Sequence, residues 1–524
     1  MKKELYDKPV LCIYDIRAIQ KFIFRNTRNI DILGAEDVIV EILHEALLYA
    51  LRNNDLHLKE SEFCMDEFGP DENDDQDYVP YFTDSHILAQ VITIGGGNAF
   101  MLYRTGRICK TVNRVFSEYI LRRTYSLNVA IAAVEMTDCI SDDFNRLYIE
   151  LEKIKYTEPV SYPFGALPIV KTDLTGNPVV GIDSVTGEEI SEETKLKRET
   201  NRSMSNPFRR SEFNDELSRY NNHLAYVHID GNNIGLTIGN IMRNRKTYKE
   251  GVRARHIVNR NILQNYIHVL NTTEAWLFDI MRHNGIAEKD LPNYYRRIHI
   301  GGDDINIVMA EVYAFAFAEK FVHDVSKVCI WSDETLGDIN FSVCVGIAYV
   351  TSDIAYKYGI RIAEECCEQA KQEAKKPENL IDGKTGNWID FQICIRLADD
   401  VTSSRSYSYV SIDDVNLCLR PYCFDDARRN TPTHVSRLLH YLVALESLEN
   451  DQRAIDDMMA AYLGPRSDIV RFINVIKRLG GEPAKKLGSP FANVPGRDKI
   501  CAAWYDALEL IRFGQAEGGF SKPE

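Results

Sequence analysis

Two stretches of this chain, whose anchoring residues Asp15 and Asp230 lie 215 positions apart, repeat one order of elements, and no other feature restricts the fold as much. The first opens with an apolar strand at residues 10–14 that ends in Asp15. The second opens with a strand at 225–229 that ends in Asp230. Each then passes through a helical stretch to a second strand, 89–94 or 297–300, that runs into glycines. The tips read Gly95-Gly96-Gly97-Asn98 and Gly301-Gly302-Asp303-Asp304. Asp15 and Gly95 are 80 residues apart, Asp230 and Gly301 71, a similarity that supports a duplication.

Apolar strands at 99–103 and 305–309 follow the glycines, so each tip reads as a tight hairpin. Amphipathic helices are expected over 107–123 and 313–330, and further strands over 129–134 and 341–350. Strand, helix, strand, strand, helix, strand is the ferredoxin-like order, which is also the core of polymerase and cyclase palms. The expected fold is therefore α+β. It has a first palm over 1–145, an inserted linker or small domain over 146–222 and a second palm over 223–398. Helical periodicity at 435–448, 453–463, 469–479 and 501–513 predicts a helical C-terminal domain over 399–524. Residues 66–77, acidic and containing Gly and Pro, read as a loop inside the first palm.

Composition narrows the class. A formal charge of -15 argues against a broadly basic nucleic-acid surface and disfavours a templated polymerase. Twelve cysteines without a CxxC pair fit a reduced cytoplasmic setting. No apolar run approaches the roughly 18 residues of a membrane helix, so no membrane role is expected.

Joining nucleotides requires charge neutralisation around the transferring phosphorus, which two divalent ions supply and carboxylates hold. A palm puts one carboxylate at the end of its first strand and others at the adjacent hairpin tip. Asp230, Asp303 and Asp304 occupy those positions, and are the candidate catalytic and metal-binding residues. Gly301 and Gly302 free the tip of side chains, and Gly231, Asn232, Asn233 and Gly235 form a loop whose amides could approach a triphosphate. Lys371, on a helix spanning 366–375, reads either as a point charge for the outer phosphates or as a solvated helix charge. His228 and His299 read as strand positions rather than ligands. In the first palm Asp15 persists but Gly97-Asn98 replace the carboxylate pair, which predicts a catalytically inactive palm packed against the live one. Arg17, Lys21, Arg25 and Arg28 follow Asp15 and read either as phosphate contacts or as a solvent-facing stripe.

On these residues the chain resembles the CRISPR polymerase family, the large palm-containing subunit of type III CRISPR effector complexes and its relatives without the HD nuclease. The resemblance rests on Tyr14-Asp15-Ile16-Arg17-Ala18-Ile19-Gln20-Lys21-Phe22-Ile23-Phe24, Asp230-Gly231-Asn232-Asn233-Ile234-Gly235, Gly301-Gly302-Asp303-Asp304 and Ala370-Lys371. It implies polymerisation of ATP into cyclic oligoadenylates, with Mg2+ or Mn2+ held by Asp230, Asp303 and Asp304. It also implies nucleoside triphosphates as ligands, with other CRISPR-type subunits or a defence effector as partners. RNA binding stays open. Family members often carry a zinc-binding cysteine cluster between the palms. This chain has Thr172-Asp173-Leu174-Thr175-Gly176-Asn177-Pro178 there, and zinc is not expected. Two alternatives stand beside this reading: a non-catalytic scaffold of an RNA-guided complex, and a GGDEF-like diguanylate cyclase. Against the second, Asp304 and Ile305 stand where that signature has Glu-Phe.

Overall fold

The computed structural model describes residues 7–66, 79–157, 169–208, 217–394, 401–402, 405, 409, 415–445, 452–464, 477 and 487–514. The first unit comprises strand β1 (Val10–Arg17), helix α1 (Asn29–Arg52), β2 (Phe63–Cys64), β3 (Ala89–Gly95), β4 (Asn98–Tyr103), α2 (Gly106–Thr124), β5 (Asn128–Glu135) and α3 (Ile140–Thr157). Its sheet runs β2-β3-β4-β1-β5. The four main strands are antiparallel to their neighbours, the ferredoxin-like arrangement, with β1 at the centre. β1 is apolar nearly throughout because both of its faces are covered, whereas β5 at the edge alternates buried and half-buried positions. Helix α2 buries Ile108, Val112, Phe116 and Ile120 at helical spacing. Its first turn is capped by the Thr105 side chain, which accepts from the Ile108 amide.

The inserted region contributes a hairpin of β6 (Val179–Ile182) and β7 (Glu189–Ser191), then α4 (Glu192–Ser203). It is no loose linker, since α4 crosses α1 so closely that a Cβ at Gly34 would lie 1.8 Å from the Lys197 carbonyl oxygen. The buried Lys197 ammonium bonds Glu193, Asn26 and the Phe22 carbonyl, and Arg198 pairs with Asp31 and Glu188. Arg25 pairs with Glu193 and Arg28 with Glu188, so these two side chains dock the insertion. Helix α3 runs through residue 145, where the sequence reading divides the chain.

The second unit comprises β8 (His223–Gly231), α5 (Ile234–Arg243), the long α6 (Tyr248–His283), β9 (Tyr295–Gly301), β10 (Asp304–Ala310), α7 (Glu311–Val325), the hairpin β11 (Cys329–Asp333) and β12 (Gly337–Asn340), β13 (Val343–Thr351), α8 (Tyr356–Ala374), β14 (Trp388–Cys394) and β15 (Tyr422–Cys423). The sheet order β15-β14-β13-β8-β10-β9 contains the same four-strand core, with β8 in the place of β1. A capping box of Thr247 and Glu250 starts α6. Expected as one helix to residue 330, α7 ends at Val325 and Ile330 lies on β11. The carboxylate of Asp333, accepting from the Thr335 and Leu336 amides, shapes the turn there.

The C-terminal region adds α9 (Val435–Leu445), α10 (Gln452–Leu463), the strand pair β16 (Phe491–Ala492) and β17 (Cys501–Ala502), and α11 (Tyr505–Gly514). It is not purely helical, and residues 501–502, expected in a helix, are on a strand. Nor does it separate at residue 398. Strand β15 extends the second sheet, and the fully buried Arg420 pairs with Asp506 and Glu509, and lies 3.9 Å from Asp390 on β14. Residues 67–77 of the acidic loop and most of the helix expected over 469–479 lie outside the described residues. One hydrophobic core joins the two units, from Leu11, Phe100 and Phe144 to Val227, Tyr266 and Ile305. Among the described residues no helix is long and apolar enough to cross a membrane.

Candidate functional site

The register of β8 against β10 sets Asp304 directly opposite Asp230, so both project to the same face of the sheet. Asp303 precedes β10 at the turn, where its carbonyl accepts from the Gly231 amide at 3.1 Å. A Cβ on Gly231 would lie 2.8 Å from Asp303 Oδ2, so the glycine that follows Asp230 makes room for the Asp303 carboxylate. Burial first, then the charge of Asp230, pushes the Asp303 carboxyl up to about 7. Lys371 on α8 forms an ion pair with Asp230. The sequence position that read as a phosphate ligand or a solvated charge is thus the counter-ion of the first-strand carboxylate.

Asp304 has other neighbours. His228 Nδ1 lies 3.3 Å from Asp304 Oδ1 and 3.0 Å from Asn306 Oδ1. Asp304 Oδ1 is itself enclosed without a hydrogen-bond partner, and burial raises the Asp304 carboxyl while His228 and His299 oppose the rise. His299 Nδ1 lies 2.7 Å from Glu36 Oε2 on α1 of the first unit. Glu364 on α8 accepts from Gln20 Nε2 at 2.9 Å, a second contact between the units on this side. His228 and His299 thus turn toward Asp304, a placement that strand parity with Asp230 and Gly301 could have revealed.

In the loop after Asp230 the residues differ in their surroundings. Asn232 is buried, its amide donating to the Ser342 carbonyl and its side chain to the Gly386 carbonyl, both at 2.8 Å. Asn233 takes a left-handed φ of 56° and starts α5 without a side-chain cap. Gly235 and Gly302 border open space. Gly301 does not, because a Cβ there would lie 2.4 Å from His299 Nε2, so an imidazole closes on the hairpin at the position read as free for substrate.

Among the described residues no group of three or more His, Cys, Asp or Glu gathers on one point. The donor set nevertheless suits a hard divalent cation. Burial, and after it the Asp230 charge, raises the Asp303 carboxyl, a cost that a bound cation would relieve, and Asp304 Oδ1 has no hydrogen-bond donor. A cavity of about 330 Å³ sits between α1 and the insertion, lined by Arg25, Arg28, Asp173, Glu188 and Arg198, whose charges are engaged in pairs and turns.

The first unit holds the same frame without the carboxylates. Asn98 lies opposite Asp15, as Asp304 lies opposite Asp230, and Gly97 therefore stands in the place of Asp303. Lys155 on α3 lies 3.1 Å from Asp15, 140 residues after it, while Lys371 follows Asp230 by 141. Lys155 went unnoticed in the sequence reading, although this offset carries the signal.

No family model matches the chain, and no curated protein matches it. Solved structures do. The chain is similar to the apo Csm1-Csm4 cassette at 13% identity and a TM-score of 0.47, covering 98% of this chain and 71% of that one. It is similar to the same cassette in complex with cA4 and in complex with one ATP. Each of these shows 13% identity and a TM-score of 0.45, over 97% of this chain and 70% of the other. It is also similar to a Csm1-Csm4 subcomplex in the type III-A CRISPR-Csm interference complex, at 12% identity and a TM-score of 0.44, over 97% of this chain and 70% of that one.

Proposed function

We propose that the chain is a cytoplasmic, metal-dependent nucleotidyltransferase that joins ATP, or another nucleoside triphosphate, into a cyclic oligonucleotide or dinucleotide second messenger in antiviral defence. Its two ferredoxin-like units are then palms, and only the second is catalytic. One observation carries the reading: Asp303 is packed against the residue after Asp230, with Asp304 directly across the strand pair. A scaffold has no need of three adjacent carboxylates at a strand end and the facing hairpin tip.

Mg2+ or Mn2+ bound by Asp230 and Asp303, with Asp304 beside them, would neutralise charge on the attacking and leaving oxygens. Asp303 must lose its proton to serve, which ties ligation to pH near neutrality. Lys371, beside Asp230, would offer a cationic donor to the outer phosphates of a bound triphosphate. The open space at Gly302 and Gly235 leaves the rim of the site accessible to a triphosphate. Other CRISPR-type subunits, or an effector that responds to the product, are the partners this reading implies.

Incubation of the purified protein with each labelled triphosphate and Mg2+ or Mn2+, followed by mass spectrometry, tests it. Cyclic products from ATP are expected. A second reading, a non-catalytic scaffold, is favoured by the Lys371–Asp230 pair, which already balances one carboxylate. It predicts no product from any triphosphate.

A further inference from the structure

The two units meet beside the hairpin tip, and the contact is polar and buried. Glu36, in the middle of α1, is 5% exposed. Its partner His299 stands on β9, two residues before Gly301 at the tip. The same imidazole that faces Glu36 through Nδ1 presents Nε2 to the Cα of Gly301, where no side chain heavier than hydrogen fits. Glu36 therefore stands, within ion-pair distance, against a ring that closes on the backbone leading into Asp303 and Asp304.

We propose that Glu36 is a positioning residue for the second unit's carboxylates, acting through His299, so that the first unit sets the geometry of a site to which it contributes no metal ligand. This inference rests on the nucleotidyltransferase reading for its catalytic consequence but not for its structural one. Without Glu36 the His299 ring gains rotamers, the hairpin tip loosens, and Asp303 no longer meets Asp230 in one arrangement. Displacements on the scale of an ångström in such a site lower turnover by roughly 100-fold.

Hydrogen exchange of the full-length protein tests the structural half. Glu36→Ala and the near-isosteric Glu36→Gln should raise exchange in residues 300–305 while leaving the β1 and β13 amides protected. Unchanged exchange at the tip in both variants overturns the proposal. Steady-state kinetics test the other half: kcat should fall roughly 10- to 100-fold with little change in KM for ATP. Combining Glu36→Ala with His299→Ala should be no worse than the poorer single variant. Additive losses, or a wild-type kcat in Glu36→Gln, overturn it. If the wild-type protein turns over no triphosphate, the enzymatic reading fails, and the exchange result still decides whether Glu36 holds the tip.

Discussion

The two ferredoxin-like units are built alike up to the atoms that matter and then part. Both end the central strand in an aspartate, and both place a left-handed non-glycine residue three positions later, Ala18 at φ 54° and Asn233 at φ 56°. Both bring a lysine from the helix after the fourth strand onto that aspartate. The hairpin tips differ. In the first unit a Cβ at position 97 would lie 2.4 Å from the Ile19 side chain, and Gly97 has a φ of 77°. In the second, the Asp303 side chain fills the space that Gly231 leaves. The first tip has neither the carboxylates nor the room for a side chain at position 97, while its frame is the same. The shared frame is thus kept in both units, while the side chains at the two tips differ.

The largest expected effect comes from the second tip. Asp303→Asn should lower product formation roughly 1,000-fold, since several kcal/mol of charge stabilisation go with the ligand. Circular dichroism should show the fold unchanged, and wild-type turnover would remove the distinction between the units.

A second contrast is the extension of the second sheet by the C-terminal region, which the first sheet lacks. Arg420→Ala leaves Asp506 and Glu509 buried without their counter-ion and should destabilise the protein by about 3–5 kcal/mol, measured by denaturant unfolding. A change within about 0.5 kcal/mol would mean the tail is an appendage.

Rebuilding the first tip sharpens the comparison from the other side. Gly97→Asp with Asn98→Asp should create no second active site in a protein already carrying Asp303→Asn. It should cost about 1–3 kcal/mol of stability through overpacking against Ile19. Recovered turnover would show that only side-chain chemistry separates the units.

A further contrast is a pH dependence. Asp303 has its folded pKa raised from near 4 to about 7, so between those values the folded state binds more protons than the unfolded one. Stability of the metal-free protein should therefore fall as pH rises through that window. Thermal melts should show a flatter profile for Asp303→Asn, and Mg2+ should offset the fall in the wild type.

How much of this was legible in sequence follows from the range of the interactions. The unbroken apolar run of β1 and the paired glycine tips announced a duplicated strand order, because a central strand covered on both faces has little freedom of composition. Asp230, Asp303 and Asp304 were legible for the same reason, since strand ends and hairpin tips bring distant residues together by topology alone. Glu36 was not. It looks like any acidic helix residue, and only the docking of α1 on β9 gives it His299. Nor was the partner of Asn232, whose side-chain amide donates to the Gly386 carbonyl across 154 residues, a pairing no local pattern shows. The helix expected to run to residue 330 was overextended because Val325, Val328 and Ile330 continue an apolar pattern that a short helix end and a strand satisfy equally.

The asymmetry between the units is tested most directly by Asp15→Ala and Asp230→Ala, assayed side by side for product formation from ATP with Mg2+ or Mn2+. The account predicts that Asp230→Ala abolishes product while Asp15→Ala retains more than about a tenth of wild-type turnover, since Asp15 pairs with Lys155 and faces Asn98 rather than a second carboxylate. Equal and complete loss in both variants, with both proteins folded, would contradict it.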